Sequence, residues 1–309
     1  MSESQKKSGE QGMKKCFFRA SADDFKRLPG APIAYWVSGS LRTAFEKFPQ
    51  FSVHSDTRIG LITGDNNYYI RQWHEISFPR IGFDFSRIEA KNSGKKWFPQ
   101  SKGGDFRRWY GNNNTVLDWS KDGHELQTRL HDSGDRILAH NFNLDKIFEP
   151  GITWTKISSG TFAARYQPNG FLFNDASANA FPLNENGIWS LLAFLVSKIP
   201  IEILKAMNPT LNFLPGNVAG LPISPVVMQD PQVLKNSKNL VRLSKTDWDA
   251  YEISWDFNSL PLLHSDCRQP ALKASYQKLR AHWHEMTLEM LRLEQENNRI
   301  FIDAYGLQD

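Results

Sequence analysis

Residues 151–223 are far more apolar than the rest of this chain, and they dictate where its core must be. The centre of the stretch, GIWSLLAFLVSKIPIEILKAM, carries Leu, Ile and Phe around most of a helical circumference. A helix with so little polar face has to be surrounded by other elements. Before it, GITWTKISSGTFAARYQPNGFLF reads as two short strands about a turn: Thr153, Trp154, Ile157, Phe162, Arg165 and Tyr166, then Pro168-Asn169-Gly170, then Phe171, Leu172 and Phe173. After it, LNFLPGNVAGLPI is predicted to be extended and to stop at Pro215-Gly216 and Leu221-Pro222. Pro200 interrupts the central helix and suits a fresh N-terminal turn. The expected fold is therefore α+β: a mixed, partly exposed sheet around this unit, helices on one face, a buried central helix and a long C-terminal helix.

With 309 residues the chain can bury one large core or two smaller ones. Two cysteines, Cys16 and Cys267, form no C-x-x-C pattern, which favours a reducing compartment and speaks against a thiolate metal site. Met1–Lys15 is polar, with no apolar signal core, and reads as a disordered tail. The longest apolar run, Ile188–Val196, contains Ser190 and stops at Ser197-Lys198, far short of a membrane span. A soluble cytoplasmic protein with no membrane partner is expected. The net charge of +4 is unevenly spread: residues 1–110 hold 19 Lys/Arg against 11 Asp/Glu, and the remainder holds 18 against 22. A basic half beside a mildly acidic half fits a polyanion partner, or chance scatter over a solvated surface.

SADDFKRLPGAP is predicted to be a short capped helix, 33–37 a strand and 40–47 a helix. Within Thr57–Glu75, apolar Ile59, Leu61 and Ile62 lead into the polar loop Thr63-Gly64-Asp65-Asn66-Asn67. A Gly-containing loop between ordered elements is a usual place for function. It also has the composition of an ordinary Asp-Asn turn. Lys91–Tyr110 carries six Lys/Arg and one acid, with Trp97, Phe98, Phe106, Trp109 and Tyr110 interleaved. Such a segment can hold phosphates with its cations and stack bases on its rings, or it can be a solvated hairpin whose rings face inward. Thr115–Trp119 follows as a strand, and 120–150 as a charged helix and linker. Ser224–Lys235 is a Pro-punctuated connection. Leu240–Phe257 reads as a short helix capped by Ser244 that runs into extended chain. From Pro270, Leu272, Tyr276, Leu279, Trp283, Met286, Met290 and Leu293 recur every three or four residues, a helical seam that packs on its own chain or on a partner helix.

Motifs of chemistry are sparse. No zinc pattern occurs; His282 and His284 are two apart on a helix and so face different ways, and His264 and Cys267 form only a loose pair. G-x-S-x-G, G-x-G-x-x-G and the P-loop pattern are all absent.

GAPIAYWVS, GLITGDNNYYIRQWHE, KWFPQSKGGDFRRWYGNNNTVLDW, GITWTKISSGTFAARYQPNGFLFN, MNPTLNFLPGNVAGLPI, SKTDWDAYEISWDF and NRIFIDAYGLQD resemble the post-catalytic region of the large adenine-specific DNA methyltransferases of BREX phage-defence systems, the PglX type. The similarity runs from Cys16 to the end, in order. The strand–helix–strand unit is similar to the target-recognition region of adenine methyltransferases fused to restriction enzymes. The chain departs from the family at Val196-Ser197-Lys198, where relatives often have Asn-Ser-Lys.

The resemblance implies a tail (1–15), a DNA target-recognition domain (16–265) and a long C-terminal helix (266–309) that stops before the family's C-terminal extension. Methylation by the full-length family uses S-adenosylmethionine and an Asn-Pro-Pro-Tyr type of loop, which grips a flipped adenine. This chain's nearest string is Asn208-Pro209-Thr210-Leu211, so no cofactor is expected in it and it should be inactive alone. The implied partners are double-stranded DNA and the catalytic domain or other BREX components. Phosphate contacts are expected from Lys95, Lys96, Lys102, Arg107 and Arg108, with Trp109 beside them. Base-edge or groove contacts are expected from Thr63, Asp65, Asn66 and Asn67 and from Thr155, Lys156 and Arg165. The alternatives are a protein–protein docking module that uses the helical seam, an inactive remnant of the same system, or a Trp-rich carbohydrate binder.

Overall fold

The computed structural model describes Ser21, Asp23 and residues 37–308, apart from 159, 185–186, 208–209 and 211. The expected tail, all but Ser21 and Asp23 of the 21–32 helix, all but Val37 of the 33–37 strand, and Asn208, Pro209 and Leu211 lie outside the described residues. The architecture is α+β, built on two four-stranded sheets where the sequence suggests one.

The first sheet has β1 (Ser55–Ile59), β8 (Ser177–Pro182), β5 (Gly151–Thr155) and β6 (Ala164–Gln167) in that order, all antiparallel. Its register pairs Ile152 with Tyr166 and Ala180, and Trp154 with Ala164 and Ala178. Alternation along the strands puts these residues on one face. That face meets α5 (Gly187–Val196), buried from Ser190 through Val196, as a helix apolar on nearly all sides must be. Tyr166 and Trp189 stack at 5.1 Å between ring centres.

At Ser197 the chain bends by 63° into α6 (Lys198–Met207). Pro200 sits in the first turn of α6, where its missing N–H breaks no helical bond. The exposed Lys198 N–H donates to Asn298 Oδ1 at 2.9 Å. Among the described residues no single helix is long and apolar enough to cross a membrane. The piece expected to be extended at Pro215 is instead the short helix α7 (Pro215–Ala219), since Pro at the first helical position favours a start as readily as a stop.

The second sheet runs β2 (Ile70–Gln72), β4 (Thr115–Asp118), β3 (Trp97–Ser101) and β7 (Leu172–Phe173), with only β3 and β7 parallel. The turn at Pro168–Gly170 therefore does not close a hairpin; it hands the chain from β6 in one sheet to β7 in the other. Asn174 then returns it to β8, its N–H donating to Ser101 O at 2.9 Å. The two sheets meet through polar side chains: Ser101 Oγ lies 3.1 Å from Thr153 Oγ1 and 3.0 Å from Ser177 Oγ. On the same polar face, within the first sheet, Asn179 Nδ2 donates to Gln167 Oε1 at 2.8 Å.

Of the shorter helices, α2 (Asn66–Tyr69) adjoins β2 and α3 (Arg87–Asn92) packs on α4 (Ser120–Thr128), while α1 (Gly39–Lys47) and α8 (Pro225–Met228) pack on the long C-terminal helix. The Pro-punctuated connection after Ser224 ends in α9 (Pro231–Asp249), whose N-cap Asp230 accepts from the N–H groups of Gln232 and Val233. Ser244 is thus inside a helix and does not cap one. The last element, α10 (Leu272–Tyr305), is about 51 Å long at 1.5 Å per residue. The predicted seam packs within the chain from Leu279 onward: Leu279 and Leu293 are buried, Met286 and Met290 are half-buried against the core, and Phe301 and Tyr305 extend it. Asn236 Nδ2 of α9 donates to the buried Asn297 Oδ1 of α10 at 3.0 Å. Toward the N-terminus the seam lifts off, leaving Leu272 73% exposed and Tyr276 half exposed.

Candidate nucleic-acid interface

The basic segment is a hairpin. β3 and β4 pair from Trp97 opposite Asp118 to Gln100 opposite Thr115, and residues 102–114 form the loop between them. Its interleaved rings mostly face inward: Trp97, Phe98, Trp109 and Tyr110 are buried, and only Phe106 stands out, 58% exposed.

The loop is fastened to the helices by its own arginines. Arg107 donates from NH2 to Asp247 Oδ2 at 2.6 Å and from Nε to Tyr110 O at 2.9 Å, and its guanidinium lies 5.0 Å from the centre of the Trp248 ring. Arg108 pairs with Glu294 at 3.1 Å. Trp109 donates from Nε1 to the same carboxylate at 2.7 Å, and its backbone forms a further rung on β6, with its N–H donating to Ala164 O and its C=O accepting from Tyr166. Ser244 Oγ reaches Arg108 O and Tyr110 O at 3.1 Å each. Tethered this way, Arg107 and Arg108 keep only part of their surface for a partner, and Trp109 has none to offer as a stacking platform.

Lys95 and Lys96 precede β3 and Lys102 follows it, so they sit at opposite ends of a strand about 16 Å long. Lys96 pairs with the buried Asp118 at 2.9 Å and lies 5.4 Å from the Trp97 ring centre. Lys95 donates to Pro79 O. Lys102 is exposed, and among the described residues it makes no hydrogen bond or ion pair. Arg71, which the sequence does not single out, joins the Lys96 end, 5.9 Å from the Trp97 ring.

The Thr63–Asn67 loop enters β2 at that same end of the sheet. Thr63 is buried and donates to Asn66 Oδ1 at 2.7 Å. Asp65 caps α2 by accepting from Tyr68 N–H at 3.1 Å, and its other oxygen takes Arg129 at 3.4 Å. Only Asn66 and Asn67 present exposed side chains at the tip.

Thr155, Lys156 and Arg165 gather at the other end, beside the hairpin loop. Thr155 donates to Gly104 O at 3.0 Å, and Lys156 pairs with Asp175 at 3.4 Å. Arg165 is 2% exposed, so its side chain offers almost no surface to a DNA groove. Burial, and after it the nearby Arg107 charge, pull its guanidinium down to about 10, still charged at neutral pH.

A cavity of about 760 Å³ between the end of α9, residues 256–267 and α10 is lined by five acids, Asp247, Asp249, Asp256, Asp266 and Glu285, and by Lys278. That charge disfavours a polyanion. Among the described residues no group of three or more His, Cys, Asp or Glu side chains could hold a metal ion.

The acids that hold the hairpin went unnoticed in the sequence. Asp247 and Glu294 lie 140 and 185 positions from the Arg107 and Trp109 groups they bind, and no local pattern joins them.

Compared with known proteins, the chain is 35% identical over 297 residues to the adenine-specific methyltransferase PglX of Lacticaseibacillus casei (strain Zhang), covering 94% of this chain and 24% of that protein. It is 31% identical over 309 residues to the adenine-specific methyltransferase BrxX of Escherichia coli O9:H4 (strain HS), covering 99% of this chain and 24% of that protein. The chain is a homologue of PglX and BrxX. It spans about a quarter of the length of either relative. No family model matches it. A solved structure of the Type IIL restriction-modification enzyme MmeI in complex with DNA superposes with a TM-score of 0.42 at 10% identity, over 82% of this chain and 33% of that one.

Proposed function

We propose that this chain is the DNA-recognition part of a BREX-type, site-specific adenine methyltransferase, holding duplex DNA in the cytoplasm while a separate catalytic domain methylates adenine. The observation that carries the proposal is homology to PglX and BrxX along nearly the whole chain. The basic hairpin built on β3 and β4 supports it. So does a sequence with no Asn-Pro-Pro-Tyr loop and no glycine-rich phosphate cradle. S-adenosylmethionine would then belong to the catalytic domain.

In this reading Lys95, Lys96 and Lys102 neutralise phosphates, with partial help from Arg107 and Arg108, and exposed Asn66 and Asn67 reach base edges. The test is fluorescence anisotropy on duplex DNA at two salt concentrations. Changing Lys95 and Lys102 to Ala should weaken binding to all sequences and reduce the salt slope by about 0.9 per lost phosphate contact. An unchanged slope removes the hairpin from the interface. No duplex affinity at all, with or without the catalytic domain, defeats the reading.

One observation favours a second role beside the first. The N-terminal half of α10 shows Leu272, Tyr276 and Trp283 to solvent. An apolar stripe of this kind fits docking onto the catalytic domain. Serine at these three positions should then abolish association with a separately expressed catalytic domain and leave duplex affinity intact.

A further inference from the structure

Arg165 is charged, buried and without an acidic or hydrogen-bonding partner among the described residues; its Nε is one of the buried polar atoms left unmatched. A buried cation is costly unless something anionic meets it, and an arginine fork is shaped for an oxyanion.

The register shows where it faces. Arg165 stands opposite Thr153, on the polar face of the first sheet that also carries Thr155. It lies below the base of the basic hairpin, which Thr155 ties down through Gly104 O. A small recess opens there between Gly104, Asp105 and Phe106 on one side and Thr155, Thr161 and Phe162 on the other, with Arg165 in its wall. Arg107 does not line the recess, its guanidinium being held by Asp247 and Tyr110 O, so Arg165 is the cation in its wall. The recess holds about 10 Å³, room for a single oxygen atom and not for a base or a sugar.

We infer that this recess is a phosphate subsite, in which Arg165 takes one oxygen of a tetrahedral phosphate whose remaining atoms stay at the mouth beside Thr161 and Phe106. The phosphate can be supplied by a DNA backbone or by free inorganic phosphate. The site does not depend on the proposed DNA function, because free phosphate tests it with no DNA present. Asp105 is the competing anion: it lines the recess, is exposed, and among the described residues makes no ion pair.

Thermal unfolding of the full chain in sodium phosphate, against chloride and acetate at matched ionic strength, decides the matter. Wild type should gain on the order of 5 °C at a hundredfold excess over the dissociation constant, and R165Q should gain nothing. D105N, which keeps Arg165 and removes the competitor, should bind phosphate several-fold more tightly; this variant serves if R165Q does not fold. A short duplex that protects wild type and is displaced by phosphate makes the backbone the source. Protection by phosphate alone leaves the subsite in place with a free anion as its ligand. The inference is overturned if phosphate protects no better than chloride, if acetate does as well, or if R165Q gains as much as wild type.

Discussion

Arg107 and Asp247 are 140 positions apart in the chain, yet they meet at 2.6 Å, with the same guanidinium lying over Trp248. This contact ties the tip of the basic hairpin to the last turns of α9. Both side chains keep some solvent, so the ion pair itself should contribute only about 0.5–1 kcal/mol. Arg107→Ala should cost more, about 1–2 kcal/mol, because the ring contact and the bond to Tyr110 O go with it. Tyr110 O keeps its bond from Ser244, which limits the loss. A double-mutant cycle of Arg107→Ala and Asp247→Ala, read by urea unfolding, should return the smaller figure as the coupling energy.

Trp109 separates a structural role from a binding one. Its ring is buried and its Nε1 donates to Glu294, which also receives Arg108. Trp109→Phe keeps most of the ring and removes the donor. A hydrogen bond to a charged acceptor is worth about 1.5–3 kcal/mol, so stability should fall by roughly that amount. Duplex affinity of the folded variant should stay within twofold of wild type. A tenfold loss of affinity without loss of stability would make the ring a stacking surface after all.

What the sequence made legible follows the range of each interaction. The α5 core helix was plain because its apolar residues are adjacent, and the break near Pro200 because proline acts on its own turn. The seam of α10 was visible as a period, although its first residues, Leu272 and Tyr276, stand exposed. Pairings across long separations were hidden. The second sheet depends on β7, two residues long, lying parallel to β3, and no alternation can announce so short a strand. The candidate site suffered similarly: a run of cations and rings is obvious in Lys91–Tyr110, but which cations are already held by Asp118, Asp247 and Glu294 is decided by acids outside that run. Ser244 was misread for the same reason, its hydroxyl being engaged by carbonyls far away in the chain.

His54 gives a dependence on pH. Burial lowers its pKa below the usual imidazole value, and its Nε2 has no hydrogen-bond partner among the described residues. The unfolded chain therefore binds this proton at a higher pH than the folded chain does. Stability from this group is fully present above about pH 6.5 and declines as pH falls through that value toward the folded pKa. Unfolding midpoints in urea should drop between pH 7 and pH 5.5. His54→Gln should flatten that part of the profile, whatever it does to stability at pH 7. An equally steep profile in the variant would assign the effect to another group.

Gly170 is where the chain crosses from the first sheet to the second, and two separate constraints hold it to glycine. Its φ is +85°, and a Cβ there would lie 2.8 Å from the backbone nitrogen of Asp84. Gly306, which caps α10 at φ +63°, shares the first constraint but has open space where a Cβ would go. Gly306→Ala should therefore cost about 1–2 kcal/mol, the left-handed strain alone. Gly170→Ala carries that strain and must also push back the 84–85 backbone, to which Asn169 Nδ2 is bonded at 3.0 Å. It should cost at least about 3 kcal/mol. Because β7 follows directly and pairs with β3, the damage should spread into the second sheet. Amide exchange should speed up at Gln100 and Ser101 in Gly170→Ala and remain unchanged there in Gly306→Ala. Equal costs for the two substitutions would mean that the close approach to Asp84 relaxes freely, and that the crossing is held by the strand pairings and not by the turn.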